Sequence, residues 1–176
     1  DILMALLTPI AKAFITELGF EAANHGVQVL GGHGYIREWG MEQIVRDARI
    51  AMLYEGTTGV QAMDLIGRKV LGSAGQLLTD FTARIDQFCS QSHPESVSDY
   101  VRQVAHYKDE WLGLSFAIGE KAMTDPDEAG AAAVDYLMYS GYTVLAYFWA
   151  QMASVAATAL ADPNRSADYD FLNAKL

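Results

Sequence analysis

A single cysteine, Cys89, stands in 176 residues, so no internal disulfide can form and the chain reads as one kept in a reducing, cytoplasmic compartment. No basic segment followed by an apolar one opens it, so no secretory leader is expected. Charged residues make up only 19% and prolines number four, against 51% hydrophobic residues and a mean hydropathy of +0.08. That composition supplies enough apolar mass to offset the entropy of ordering and excludes global disorder. The length allows one domain or two small ones with a real core. Positive charge is the scarcer sign, 12 Lys+Arg against 22 Asp+Glu, for a formal net charge of −10. The deficit is uneven: residues 1–72 are net −2 and residues 73–176 net −8. A half-chain of that sign repels phosphate backbones, which excludes nucleic acid as a partner.

Period-2 alternation bounded by turn residues is also missing, while apolar residues recur at steps of three and four. The expected class is all-α, a soluble helical bundle. A first helix is expected over about 2–30, with Pro9 in an early turn and Gly31-Gly32-His33-Gly34 as its stop. Met41 to Met52 reads as a short charged helix, Tyr54-Glu55-Gly56-Thr57 as a break, and Thr57 or Thr58 as the next cap. From Val60 through Ile66, Val70, Leu77, Phe81 and Ile85 to Phe88 a single apolar face predicts one helix about eight turns long. Ser92-His93-Pro94-Glu95 has the pattern of a capping box, and Asp125-Pro126-Asp127-Glu128 is a stronger helix start. Tyr136 to Ala161 then carries no charge, long enough to span a bilayer. Its scattered hydroxyls, its alanines and the absence of flanking Lys/Arg clusters favour the central helix of a bundle over a membrane span. Asp162-Pro163 ends that run, and a further helix is expected from Asp168. The seam between two domains, 1–72 and 73–176, is placed near Gly72-Ser73-Ala74-Gly75, where the charge balance changes.

Little in this chain has the spacing of a reactive centre. His25, His33, His93 and His106 are not paired at ligand spacing, so a zinc site is not expected, and neither a nucleophile elbow nor a phosphate loop is present. Gly31-Gly32-His33-Gly34 could offer backbone N–H groups to a phosphate, although a helix C-cap is the commoner role of glycines after a helix and the favoured reading of the residues alone. Glu55 stands at a break between helices, beside Tyr54 and Gly56. A carboxylate held in apolar surroundings suits general-base work, whereas an exposed glutamate near a helix start is the plainer alternative.

Three motifs in register change that balance. Gln28-Val29-Leu30-Gly31-Gly32-His33-Gly34-Tyr35, then Arg46-Asp47-Ala48-Arg49-Ile50, then Tyr54-Glu55-Gly56-Thr57, with Glu42 and Gln61, resemble the C-terminal helical domain of acyl-CoA dehydrogenases, over about residues 8–72. On softer patterns, Tyr107-Lys108, Trp111-Leu112 and the alanine- and tyrosine-rich helix, residues 73–176 resemble the extra helical domain of a larger bacterial branch that includes 3-methylmercaptopropionyl-CoA dehydrogenases.

The resemblance implies a flavin enzyme that converts an acyl-CoA thioester to the trans-2-enoyl-CoA, with FAD as cofactor and electron-transfer flavoprotein as electron acceptor. Glu55 occupies the position of the base that removes the α-proton. Gln28, Gly31 and Gly32 match contacts to the FAD of a neighbouring subunit, and Thr57 one that approaches the flavin nucleotide, so a homo-oligomer is implied. Arg46 and Asp47 match a pair read as a structural ion pair, and Gly59 stands where many members carry a polar residue. The family's N-terminal helical and middle β domains have no counterpart here, so the chain is expected to be a piece of a larger enzyme, inactive alone. Two alternatives are a non-catalytic relative of the adaptive-response, DNA-associated type, disfavoured by the −8 balance, and a membrane-associated helical module built on residues 136–161.

Overall fold

A computed structural model of the chain describes residues 2–162 and 169–176. Among these there are eight α-helices and no strand: α1 Ile2–Leu30, α2 Gly32–Tyr35, α3 Met41–Ala51, α4 Thr58–Met63, α5 Gln76–Cys89, α6 Ser98–Ala122, α7 Asp127–Leu160 and α8 Tyr169–Asn173. The all-α expectation therefore holds. Pro163 and Asp168, read above as the end of one helix and the start of another, lie outside the described residues.

Each long helix buries the stripe its sequence encodes. Leu6, Ile10, Ala13 and Phe14 point inward from α1, and Leu78, Phe81, Ile85 and Phe88 from α5. On α6 the inward residues are Val101, Val104, Lys108, Trp111 and Ser115, at alternating steps of three and four. α7 is about 50 Å long at 1.5 Å per residue and packs against α1, α4 and α6. Asp125 accepts the Asp127 N–H at 3.1 Å at its start, the cap read from the sequence. By length and composition alone two helices, Leu3–Leu30 and Asp127–Leu160, could cross a membrane. In this fold Ala133, Tyr136, Leu137, Ser140, Gly141, Val144, Tyr147 and Ala150 of α7 are buried against its neighbours. One contiguous core runs from Leu6 through Ile66 and Val70 to Trp111 and Ala150.

Three local expectations are corrected. The helix read as continuous from Val60 to Phe88 is broken: a π-helical turn, Asp64–Val70, and a 3₁₀ turn, Leu71–Ser73, separate α4 from α5. Gly75 N–H donates to Val70 O at 2.9 Å and Ala74 N–H to Leu71 O at 3.0 Å, which is a Schellman termination with Ala74 and Gly75 at φ of 51° and 79°. The apolar spacing survives the break because Val70, Leu78 and Phe81 enter the same core. Ser92 does not cap α6, which starts six residues later after a 3₁₀ turn, Glu95–Val97. A residue preceding proline is pushed out of the helical region, so His93 cannot open a helix. Its ring instead donates from Nε2 to Phe88 O at 2.7 Å and meets Ser154 Oγ through Nδ1 at 2.9 Å, tying α5 to α7. Arg46 and Asp47 form no ion pair, because neighbours on a helix diverge; Asp47 accepts from the Gln43 amide one turn away at 2.7 Å.

α6 and α7 run antiparallel, and polar groups are buried between them. Ser115 Oγ lies 2.6 Å from Tyr136 Oη and donates to Trp111 O at 2.7 Å. The Trp111 indole N–H lies near the Tyr136 hydroxyl without forming a well-aligned hydrogen bond. Between α5 and α6, the buried Lys108 ammonium donates to Asp86 at 2.5 Å and pairs with Asp109 at 2.7 Å. Burial alone lowers its pKa, but those two carboxylates outweigh it and the net shift is upward. Cys89 is half-buried beside them, and burial followed by the nearby Asp86 charge raises its thiol.

Two stability predictions follow from this packing. A Cβ on Gly141 would run into the Phe14 ring, whereas one on Gly113 of α6 meets nothing within 4 Å. Gly141→Ala should therefore destabilise by about 1–3 kcal/mol through overpacking, and Gly113→Ala should stabilise by about 0.5–1 kcal/mol, both read by urea unfolding. Burial pushes the Tyr136 phenol from 10.0 up to about 12, against the smaller opposing effect of its bond to Ser115. A raised folded-state pKa keeps its contribution below pH 10 and loses it as pH rises toward 12. Tyr136→Phe should flatten the alkaline fall in unfolding free energy across that window by up to about 1.4 kcal/mol per pH unit relative to wild type.

Candidate functional site

Both parts of the site lie along α1. At its C-terminal end Gly31 adopts φ 58°, ψ −138°, a conformation reserved for glycine, and its N–H bonds back to Gln28 O at 3.1 Å. The chain then folds back into α2, where a Cβ on Gly34 would lie 2.6 Å from Val27 O. The glycine-rich run is thus both the helix stop expected and a tight reversal. A Cβ on Gly31 or Gly32 would meet nothing within 4 Å, so their backbone is open to an approaching group, and the exposed Gln28 lies in the last turn of α1 beside them. That open, side-chain-free backbone fits a phosphate or ribose edge of a nucleotide cofactor.

The second part is the junction between α3 and α4. Glu55 has φ 55° and Gly56 φ 88°, two left-handed residues in succession. For a non-glycine residue that conformation costs about 1–2 kcal/mol. Three hydrogen bonds surround it: Lys12 Nζ of α1 donates to Gly56 O at 2.5 Å, Gln61 Nε2 of α4 to Glu55 O at 2.9 Å, and Thr58 Oγ1 to Glu17 Oε1 of α1 at 2.5 Å. Thr57 has the extended conformation of an N-cap, and its carbonyl accepts the Gln61 N–H at 3.0 Å, but its hydroxyl makes no capping bond. The Glu55 side chain is exposed, and its carboxylate forms no hydrogen bond or ion pair among the described residues.

The sequence-predicted residues do not converge on one point. Glu55 and Thr57 lie at the level of Lys12 to Glu17 on α1, while Gln28, Gly31 and Gly32 lie at its far end, about 24 Å along the axis from Lys12 at 1.5 Å per residue. Sequence reasoning missed Lys12 and Glu17, whose partners are more than forty positions away, and gave Gln61 no role. It also missed an apolar surface around both parts. Val29, Tyr35, Trp39, Ile44, Ile50, Tyr54 and Val60 are all more than half exposed. Among the described residues no cluster of three His, Cys, Asp or Glu could hold a metal ion.

The chain is all-helical, with a glycine-rich reversal at one helix end and a strained glutamate between two short helices, at the motifs that carry the resemblance noted in the sequence. Family profiles agree: the one described as acyl-CoA dehydrogenase, C-terminal domain, matches residues 4–71, and the one described as acetyl-CoA dehydrogenase C-terminal like matches residues 81–176. The chain belongs to the acyl-CoA dehydrogenase family, whose members depend on FAD. It is 38% identical over 175 residues to a 3-methylmercaptopropionyl-CoA dehydrogenase of Ruegeria pomeroyi, covering 97% of this chain and 29% of the relative. It is 28% identical to the broad-specificity linear acyl-CoA dehydrogenase FadE5 of Mycobacterium tuberculosis, covering 88% and 26%. A butyryl-CoA dehydrogenase of Syntrophomonas wolfei is 28% identical over 99 residues, 56% of this chain and 16% of the relative. The chain thus spans less than a third of the length of these relatives.

The strain at Glu55 is itself measurable. Glycine relieves the left-handed penalty but brings about 0.5–1 kcal/mol of extra unfolded-state freedom. Glu55→Gly should therefore raise the unfolding free energy by about 0.5 kcal/mol, opposite in sign to Glu110→Gly in the middle of α6, which should lower it by about 0.5–1 kcal/mol.

Proposed function

We propose that this chain is the C-terminal helical part of a flavin-dependent dehydrogenase that removes the α-proton and β-hydride of an acyl-CoA thioester, with Glu55 as the base. The observation that carries this reading is the left-handed Glu55, held between α3 and α4 by bonds to its own and its neighbour's carbonyl, with its carboxylate free to project outward. Strained backbone at a position whose side chain makes no structural contact points to a role in chemistry. A thioester α-proton is too weakly acidic for a carboxylate in bulk water, so the base works only where the rest of the protein and the acyl chain exclude solvent. The exposed ring of Tyr54 and the side chains of Val60 and Leu53 supply apolar surface for such a closure.

When bound, FAD accepts the hydride that leaves the β-carbon. This chain's contribution to holding it is the open backbone of Gly31 and Gly32 with the Gln28 amide at the C-terminal end of α1, and Thr57 beside the middle of that helix. The separation of about 16 to 24 Å along α1 supports the view that the two parts serve different cofactor molecules in a homo-oligomer, with the exposed apolar residues from Val29 to Ile50 covered by a second subunit. Electron-transfer flavoprotein is the proposed electron acceptor and the cytoplasm the proposed location. The division into units 1–72 and 73–176 belongs to the same reading.

The test is anaerobic stopped-flow reduction of the flavin in the whole protein by saturating acyl-CoA. Glu55→Gln keeps the shape and removes the proton acceptor, so reduction should slow by about 10²- to 10⁴-fold while acyl-CoA still binds. Reduction within a few-fold of wild type would overturn the assignment.

A further inference from the structure

The peptide groups on either side of Gly56 are each gripped by a side chain from a different helix. Gln61 Nε2 reaches back from α4 to Glu55 O, and Lys12 Nζ reaches across from α1 to Gly56 O. Capturing these two carbonyls fixes the planes of the 55–56 and 56–57 peptides, and so the ψ of Glu55 and both dihedrals of Gly56. A Cβ on Gly56 would lie 2.9 Å from the Gln61 amide nitrogen, so a side chain there would crowd the amide away from its acceptor. Neither bond is needed to start α4, whose first turn is closed by Thr57 O and the Gln61 N–H. Neither side chain touches the Glu55 carboxylate. With φ at 55°, Glu55 sits in a narrow basin, and an uncompensated change in its ψ would turn its Cα–Cβ bond relative to α4.

We infer that Gln61 and Lys12 are positioning residues: together they hold the Glu55 backbone in the one conformation that aims its carboxylate, and thereby set the rate of proton removal without contributing to acyl-CoA binding. The inference rests on the reading of Glu55 as the base.

The experiment uses the whole protein loaded with FAD, with butanoyl-CoA and octanoyl-CoA as probes. Gln61→Glu is nearly isosteric and replaces the donor by an acceptor; Gln61→Lys restores a donor. Lys12→Met and Lys12→Arg form the corresponding pair. Gln61→Glu and Lys12→Met should each lower the limiting rate of flavin reduction about tenfold or more, with the acyl-CoA Kd within about twofold of wild type, and the donor-restoring partners should recover most of the loss. Flavin content and melting temperature report folding separately. Independently of activity, the ¹³C resonance of the Glu55 carbonyl should move upfield in Gln61→Glu and return in Gln61→Lys. A resonance that does not move, or a limiting rate unchanged in both donor-removing variants while Glu55→Gln still abolishes reduction, overturns the positioning role and leaves the base assignment intact. A rate that falls while the Kd rises in step, with no recovery in Gln61→Lys or Lys12→Arg, marks a general structural role and also overturns it. Rapid reduction in Glu55→Gln overturns the base assignment, and the positioning role with it.

Discussion

The contact between Phe14 of α1 and Gly141 of α7 is the constraint on which the arrangement depends. α7 is apolar on nearly every side, and only where it presents a residue without a side chain can α1 approach closely enough to bury Phe14 and set its ring edge-on against Tyr142 at 4.9 Å. That approach fixes α1, and α1 in turn carries Lys12 and Glu17, which reach Gly56 and Thr58. A hydrophobic packing detail in the second half of the chain thus governs the backbone of a strained turn in the first half. The continuous core shared by both halves is the physical medium of that dependence.

How much of this was legible in the sequence follows from how local each interaction is. The starts of α3 and α7, and the reversal after Leu30, are encoded by neighbours within a turn or two, and the sequence places them to within a residue or so. The interruption between α4 and α5 was not legible from periodicity, because the buried stripe continues in register through it. The glycines at 72 and 75 carried the signal, and their backbone chemistry outweighed the apolar spacing. Ser92 failed as a cap because Pro94 restrains the residue before it, a rule that competes with the capping box.

For the site, Glu55, Thr57, Gln28, Gly31 and Gly32 were nominated by motif, and the structure adds their local geometry. The left-handed conformation of Glu55 could not be read from residue type, since glutamate has no preference for it. Lys12 and Gln61 were invisible for different reasons. Lys12 sits in an apolar helix as an isolated charge whose partner is 44 positions away. Gln61 falls within a helix turn, where an amide ordinarily faces solvent.

The distance in sequence between Phe14 and Gly141 bears on how the molecule is made. α6 and α7 are consecutive and can zip together as a hairpin of local contacts, but α1 must find a partner helix about 130 residues further along. At the usual pace of roughly 5–20 residues per second during synthesis, α1 meets α2, α3 and α4 soon after it is made but stays without its α7 contact for on the order of ten seconds. The face of α1 that Phe14 occupies is, for that interval, a natural client for a chaperone, whereas Lys12 and Gly56, 44 positions apart, are both available before α7 is made.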